Sequence, residues 1–251
     1  MKKNKRVQLF SSVFAVLLII LGGCDSGSRY TEEGLDTVIK KHRDTPDFTV
    51  LLYDQNYENG KYQHQYQVLT PKTDSTFDTK VTQWLPVSDR FFNAHIDHLG
   101  MELANKKDGV VNKTVAPAGY SQYVGNPKYG QWTQRNGNSF WEFYGKYAFM
   151  SSMFHMFSSP ARYDYWNDYN RNYAPYGKSY RGPNGYYGTQ SYMNSRSGKN
   201  TSWNQKSSSF RSDVRSRVKR SATTSRSKVS RSSSRYSSGS RSRSRSGGFG
   251  K

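Results

Sequence analysis

The stretch FTVLLYDQNYENGKYQHQYQVL, residues 48–69, carries the strongest fold signal in this chain of 251 residues. Two runs rich in aromatic and β-branched residues flank Asn59-Gly60, a dipeptide that favours the tight turn of a β-hairpin. In the second run, every second residue from Tyr62 to Val68 is aromatic, apolar or His, and the residues between them are glutamines. This alternation is typical of a strand with one solvent-exposed face, so residues 48–69 predict a hairpin.

The flanking sequence predicts further elements around this hairpin. FDTKVTQWLPV, residues 77–87, predicts a third strand. One helix is expected before the hairpin, starting near Thr31, and another after it, capped by Ser88 or Asp89. The second helix is expected to present an apolar stripe made of Phe92, Ile96, Leu99 and Leu103. The order helix, three strands, helix predicts a small α+β domain over residues 30–115.

The N-terminal residues have the pattern of an export signal. Four basic side chains precede residue 7, and residues 7–21 are mostly apolar. This apolar stretch is short for a transmembrane helix, which needs about 20 residues. The sequence therefore predicts a signal peptide over residues 1–23 and a short tether over residues 24–29.

Leu21-Gly22-Gly23-Cys24 resembles the bacterial lipobox. The resemblance implies cleavage before Cys24 and attachment of a diacylglycerol group, as a thioether, to its sulfur, the only thiol in the chain. Two or three acyl chains on one residue are sufficient for stable membrane anchoring. We therefore expect lipidation at Cys24, and a protein of the bacterial cell envelope that is anchored to the inner or the outer membrane.

Two further short motifs extend this resemblance. Together with the lipobox, two motifs are similar to pieces of the YgiB-type envelope lipoproteins: Ser139-Phe140-Trp141 and Gly247-Gly248-Phe249-Gly250. The resemblance covers a small part of the chain, and residues 30–115 have no counterpart in it. It implies an envelope role and supplies no catalytic residues.

The net charge of +20 is concentrated at the C-terminal end. Residues 196–251 contain 16 basic side chains and one acidic side chain, whereas residues 30–115 have a net charge of −3. A tail dominated by Ser and Arg predicts disorder and binding to a polyanion. The candidate polyanion-binding residues are Arg211, Arg215, Arg217, Lys219, Arg220, Arg226, Arg231, Arg235, Arg241, Arg243 and Arg245.

The export signal narrows the choice of polyanion. An exported tail meets anionic lipid headgroups, lipopolysaccharide, wall polymers and acidic proteins. Near an anionic membrane each Lys or Arg contributes at most about 1 kcal/mol, so many together hold a tail on the surface. An anionic lipid or wall polymer is therefore the expected partner, and nucleic acid, which the same charge attracts, is the alternative.

The stretch SFWEFYGKYAFMSSMFHMF, residues 139–157, predicts an aromatic amphipathic helix over residues 139–159. Ser139 and Glu142 match a capping box, and Pro160 would end the helix. Three roles stay open for it. It can be a core helix, it can lie in the membrane interface beside the lipid anchor, or it can dock on a membrane-protein partner.

Two segments remain, a predicted linker and a predicted low-complexity segment. Residues 116–138 are interpreted as a linker, and residues 160–195, rich in Tyr, Asn and Gly, as a low-complexity segment without a core. The predicted fold class is thus a small α+β N-terminal domain, an aromatic amphipathic helix, and a long disordered region that is Tyr-rich and then Ser/Arg-rich.

The sequence contains few motifs that would indicate catalysis or metal binding. His95 and His98 are spaced to share a helix face, but no HExxH-type spacing occurs. We expect them to be helix-surface histidines, with His95 partly against the core. A nucleophile elbow, a phosphate-binding Gly loop and paired carboxylates are not evident. The sequence therefore predicts a non-enzymatic protein without catalytic residues, metal or cofactor. The weaker hypothesis is a metal-using enzyme in residues 30–115.

Overall fold

The structure is a computed structural model that describes residues 33–72, 76–157, 159–185 and 187–234. Side chains are described for these residues, except for Ser191 and the residues from 225 onwards. The predicted signal peptide, Cys24, the tether and the end of the tail lie outside the described residues. The described part is α+β, with a main antiparallel sheet and packed helices.

The main sheet is formed by the first half of the described chain. Its elements are α1 (Gly34–Lys41), β1 (Phe48–Glu58), β2 (Lys61–Pro71), β3 (Phe77–Val81), β4 (Leu85–Val87), α2 (Asp89–His95), β5 (Glu102–Lys107) and β6 (Val110–Asn112). The strand order is β3-β2-β1-β5-β6, and β4 also pairs with β2. The third strand predicted over residues 77–87 is therefore present as two short strands, β3 and β4.

The hairpin predicted over residues 48–69 is confirmed. β1 pairs antiparallel with β2, and the register ends with Glu58 opposite Lys61. The two turn residues have positive φ, 50° at Asn59 and 78° at Gly60. Positive φ at both central residues is the type I′ geometry, whose twist matches that of the flanking strands.

The second half of the described chain begins with a smaller hairpin and continues as short helices. Its elements are β7 (Gly130–Arg135), β8 (Asn138–Phe143), a 3₁₀ turn (Gly145–Tyr147), α3 (Phe149–Met153), α4 (Tyr163–Asn172), a second 3₁₀ turn (Ala174–Tyr176), α5 (Thr189–Met193), α6 (Arg196–Lys199), α7 (Ser202–Gln205) and α8 (Ser208–Ser234). None of the helices in the described ranges combines the length and the apolar character needed to cross a membrane.

Hydrophobic cores cover both faces of the main sheet. Phe48, Val50 and Leu52 of β1 belong to the first core, which also contains side chains of α1, α2 and α8. Leu51, between them, belongs to the second core, formed mainly by residues 116–180. Because successive side chains of a strand point to opposite faces, β1 is a central strand buried on both sides.

The helix predicted after Ser88 is shorter than expected. Ser88 caps it as predicted, since its hydroxyl accepts a hydrogen bond from a backbone N–H three residues later at 3.0 Å, but α2 ends at His95. Gly100 has a φ of +77°, which a continuing helix cannot contain, and a Cβ there would lie 2.4 Å from the Tyr192 ring. Leu103 is buried, but it lies in β5 and not on a helix.

The predicted single helix over residues 139–159 is wrong, because the described residues there form β8, a 3₁₀ turn and α3. Asn136-Gly137, with φ of 49° and 75°, makes the same kind of turn as Asn59-Gly60 and pairs β8 with β7. Cross-strand pairing therefore replaces the predicted capping box. The stretch still contributes to the second core, through Trp141, Phe143, Tyr147, Met150, Phe154 and Met156.

The described residues of the predicted linker (116–138) and of the predicted low-complexity segment (160–195) are folded, contrary to expectation. The Tyr residues of these segments that are 3% exposed or less are Tyr120, Tyr123, Tyr169, Tyr180 and Tyr192. Each aromatic side chain buries about 150–250 Å². Tyr rings therefore form a core where aliphatic side chains are scarce.

The predicted disorder of residues 196–251 is also wrong for its first part, because α6, α7 and α8 extend as far as Ser234. Trp203 and Val218 are 0% exposed and Val214 is 2% exposed, all three in the first core. The tail contains few apolar residues, but these three meet one core, and that is sufficient to dock the segment. Residues 235–251 lie outside the described residues.

Candidate anion-binding groove and basic helix

The basic helix α8 packs on α2 and on the first core. Val214 and Val218 are four positions apart, so they share one helix face, which is buried. On the same side of the molecule, the Arg215 guanidinium donates a hydrogen bond to Asp97 Oδ1 at 2.6 Å. Apolar burial and this ion pair together determine where the basic side chains of α8 lie.

A buried carboxylate in β1 positions the segment that leads into α8. Asp54 accepts hydrogen bonds from the backbone N–H groups of Ser202 at 2.6 Å and Trp203 at 3.1 Å, and also from that of Gln55 at 2.8 Å. Burial raises the pKa of Asp54, and these hydrogen bonds partly oppose that rise. Asp54 thus satisfies N–H groups at the start of α7 and ties this segment to the sheet.

Three of the predicted polyanion-binding residues have partners within the protein. Arg211 donates to backbone carbonyls near the end of α7, two of them at 2.9 Å. Arg215 pairs with Asp97, and the Arg217 guanidinium lies over the Tyr57 ring, 5.6 Å from its centre. These three residues therefore stabilise the docking of α8, a role that the sequence analysis did not predict.

The other predicted residues divide into three groups. Lys219 and Arg220 are exposed on α8. Arg226 and Arg231 lie in α8, but their side chains are outside the description. The residues outside the described part of the chain are Arg235, Arg241, Arg243 and Arg245.

A groove of about 700 Å³ lies beside α8. Its lining contains two of the predicted cations, Arg211 and Arg215, together with Arg181, Lys199 and the carboxylate of Asp97. Four cations against one carboxylate give the groove a net positive lining. A concave surface of one charge sign concentrates ions of the opposite charge, so the groove is suited to an anion.

Arg181 and Lys199 are groove residues that the sequence analysis did not select. Arg181 lies in the Tyr-rich segment for which the composition predicts disorder, and Lys199 is one of the basic residues of the tail. No local sequence pattern marks them, because the groove combines side chains from distant segments of the chain.

The two histidines of the candidate metal pair are part-buried beside this groove. His95 Nδ1 and His98 Nδ1 are 3.1 Å apart. Burial lowers the pKa of His95 to about 4, and burial with the charges of His95 and Arg181 lowers that of His98 to about 3. Both rings are therefore neutral near pH 7. In the part of the chain that the structure describes, no three His, Cys, Asp or Glu side chains form a metal-ligating group.

No protein-family model, curated protein or solved structure matches this chain. The groove and the basic helix are therefore interpreted from their own contacts and charge.

Proposed function

We propose that this protein is a non-enzymatic lipoprotein of the bacterial cell envelope, anchored to a membrane through lipidated Cys24. Its basic C-terminal region binds an anionic surface, namely an anionic lipid or a wall polymer. The proposal rests on two features that are far apart in the sequence: the Leu21-Gly22-Gly23-Cys24 motif and the positive charge of residues 196–251.

The observation that supports the binding proposal is that some cations of α8 have partners within the protein, whereas others are exposed. The first cations of α8 are engaged by the protein, at Arg211, Arg215 and Arg217, whereas Lys219 and Arg220 project into solvent. The docked part thus holds the helix on the folded unit, and the charges of Lys219 and Arg220 are presented outward. Charges presented in this way attract a polyanion without a shaped pocket.

Vesicle binding tests the role of the exposed cations. Full-length protein is incubated with vesicles of phosphatidylcholine alone, or of equal parts of phosphatidylcholine and phosphatidylglycerol, and co-sedimentation is measured at increasing salt. The double variant Lys219→Gln/Arg220→Gln should bind the anionic vesicles more weakly by up to about 2 kcal/mol, since each charge contributes at most about 1 kcal/mol. Added salt should shrink the difference.

The matched control is Lys128→Gln/Lys178→Gln, which removes two exposed positive charges elsewhere on the folded unit. It should bind like the wild type. Equal losses in both double variants would show that net charge alone drives binding and would refute a role for α8. Preferential crosslinking of nucleic acid over envelope material in cells would favour the alternative, a nucleic-acid-binding protein.

The anchor is tested separately in the same cells. Mass spectrometry of the mature protein should find acyl chains on Cys24, and Cys24→Ser should abolish the acyl mass and release protein from the membrane fraction. Retention of the Cys24→Ser protein in membranes, without acyl mass, would contradict the lipid anchor while leaving the vesicle result intact.

A further inference from the structure

Two cations of the groove have no acidic partner among the described residues. Arg211 donates hydrogen bonds to backbone carbonyls, and Arg215 pairs with Asp97, which is the one carboxylate among the described residues of the groove lining. Arg181 and Lys199 complete the lining, and no described carboxylate forms an ion pair with either of them. The uncompensated charge of the groove therefore resides on these two side chains.

A buried donor atom of Arg181 adds to this observation. Its Nε is buried and has no hydrogen-bond partner, although the side chain as a whole is only part-buried. A buried N–H group without a partner costs about 1–3 kcal/mol, so such groups are rare unless a ligand or water satisfies them. Its neighbour His98 is neutral near pH 7, so it leaves the positive charge of Arg181 uncompensated.

The rest of the lining is uncharged, and it combines the apolar side chains of Met193 and Trp203 with polar side chains. Gln190 and Asn194 are exposed and lie four positions apart at α5, so their amides face the same side. Amide groups both donate and accept hydrogen bonds, which suits hydroxyl groups. The volume of about 700 Å³ is within the usual range for small-molecule sites and holds more than a bare phosphate ion.

We infer that this groove binds a phosphomonoester carried on a small polyhydroxyl group, a sugar phosphate. Arg181 and Lys199 bind the phosphate, where the planar guanidinium can donate two parallel hydrogen bonds to its oxygens. Gln190 and Asn194 bind the sugar hydroxyls. This function goes beyond the proposed binding of a polyanion by α8, because it is a discrete site for one small group. The sugar phosphate is either a soluble metabolite or the headgroup of a glycolipid.

Calorimetric titration of the full-length protein in nonionic detergent, at fixed salt, tests the site with three probes. Glucosamine 1-phosphate should bind, inorganic phosphate should bind more weakly, and glucosamine should not bind. Arg181→Gln and Lys199→Gln should each weaken glucosamine 1-phosphate binding by at least roughly tenfold, since each loses hydrogen bonds to a charged group. Because Lys199 is exposed, its variant is expected to fold even if Arg181→Gln does not.

Two controls separate this site from the proposed polyanion binding. Lys206→Gln removes an exposed charge that lies outside the groove lining and should not change the affinity. Lys219→Gln/Arg220→Gln should weaken binding to anionic vesicles and leave glucosamine 1-phosphate binding unchanged. The two proposals can therefore fail independently of each other.

A final arm distinguishes the two sources of the ligand. Micelles that contain lipid A present the same sugar phosphate as a headgroup. In the Lys219→Gln/Arg220→Gln variant, tighter binding to them than to glucosamine 1-phosphate, lost when Lys199→Gln is added, would identify a glycolipid. Equal or weaker binding would identify a soluble ligand. The inference is overturned if none of the phosphorylated probes binds, or if Lys199→Gln and a folded Arg181→Gln bind them like the wild type.

Discussion

Glu102, at the start of β5, is a fully buried carboxyl group. Its Oε1 accepts hydrogen bonds from Asn105 Nδ2 at 2.7 Å and from the Ser121 hydroxyl, and a backbone hydrogen bond from Gly119 also stabilises the carboxylate. Burial raises the pKa of Glu102 to about 7, because the cost of burying the charge outweighs the help of these hydrogen bonds. The carboxyl group of Glu102 therefore changes its protonation state near neutral pH.

The raised pKa of Glu102 makes folding stability depend on pH. The folded pKa of about 7 lies above the ordinary value of 4.5, so the folded state retains a proton that the unfolded state releases. The resulting stabilisation is complete below pH 4.5 and is lost as the pH rises through 7. A shift of this size corresponds to about 3 kcal/mol.

Glu102→Gln should remove this dependence, because the amide stays neutral at every pH. In denaturant unfolding followed by circular dichroism, the free energy of unfolding of the variant relative to the wild type should rise by about 3 kcal/mol between pH 4.5 and pH 8. The control Glu142→Gln changes a half-exposed carboxylate and should follow the wild-type curve. Parallel curves for Glu102→Gln and the wild type would contradict the raised pKa.

At the scale of elements, α8 shows how few side chains dock a polar helix. Ser and Arg dominate its 27 residues, and the side chains from 208 to 224 that are fully buried are Val214 and Val218. Burying one Val contributes about 1.5–3 kcal/mol, so this docking is sensitive to a single change.

Val218→Asp should release α8 from α2, because a carboxylate would replace an apolar side chain in the first core. The backbone after Arg211 and Arg215 then becomes accessible to trypsin. If about 2 kcal/mol of docking is lost, limited proteolysis should be roughly 30-fold faster there. Ser216→Asp adds the same charge at an exposed position of α8 and should leave the rate near that of the wild type. Equal rates for both variants would show that α8 is not held by its apolar face.

At the scale of the whole molecule, the main feature of the fold is that both hydrophobic cores pack against the same sheet. β1 contributes to both, through Val50 on one face and Leu51 on the other. A change in either core therefore acts on the same central strand. We expect the described unit to unfold in one cooperative transition rather than core by core.

Leu51→Ala should lower the free energy of unfolding by about 2–5 kcal/mol, as expected for a buried Leu, and shift the whole transition. Circular dichroism and tryptophan fluorescence should report the same denaturant midpoint, with an unchanged slope. Val110→Ala, at a position that is 71% exposed, should change the stability by less than about 0.5 kcal/mol. Two separate transitions, of which only one moves in Leu51→Ala, would show that the cores are independent.

Local sequence signals predicted part of this fold. The Asn59-Gly60 hairpin follows from turn chemistry alone, and the helix cap at Ser88 is one of the two candidates, Ser88 and Asp89, that the sequence offers. Asn136-Gly137 and Asp108-Gly109 carry the same turn signal and also have positive φ at both residues. The hairpins β5–β6 and β7–β8 were thus readable from sequence. At β8, the capping-box pattern of Ser139 and Glu142 predicted a helix instead of a strand.

The candidate site could not be predicted in the same way. The sequence identified the basic tail, but not which of its cations are engaged within the protein or that Arg181 lies beside α8. Those facts depend on contacts such as Arg215 with Asp97, which are 118 positions apart. Coulomb attraction acts through space, so charge partners at this separation leave no local pattern.

By itself, the sequence determined the first hairpin, the α+β class and the segregation of positive charge, because turn geometry, strand alternation and net charge are properties of neighbouring residues. Only the tertiary structure decided that the Tyr-rich segment forms a core and that α8 is docked. Composition predicted disorder for both because it counts apolar residues without regard to where they meet. Tyr169, Tyr180 and Val218 are buried because the two faces of one sheet provide surfaces that complement them.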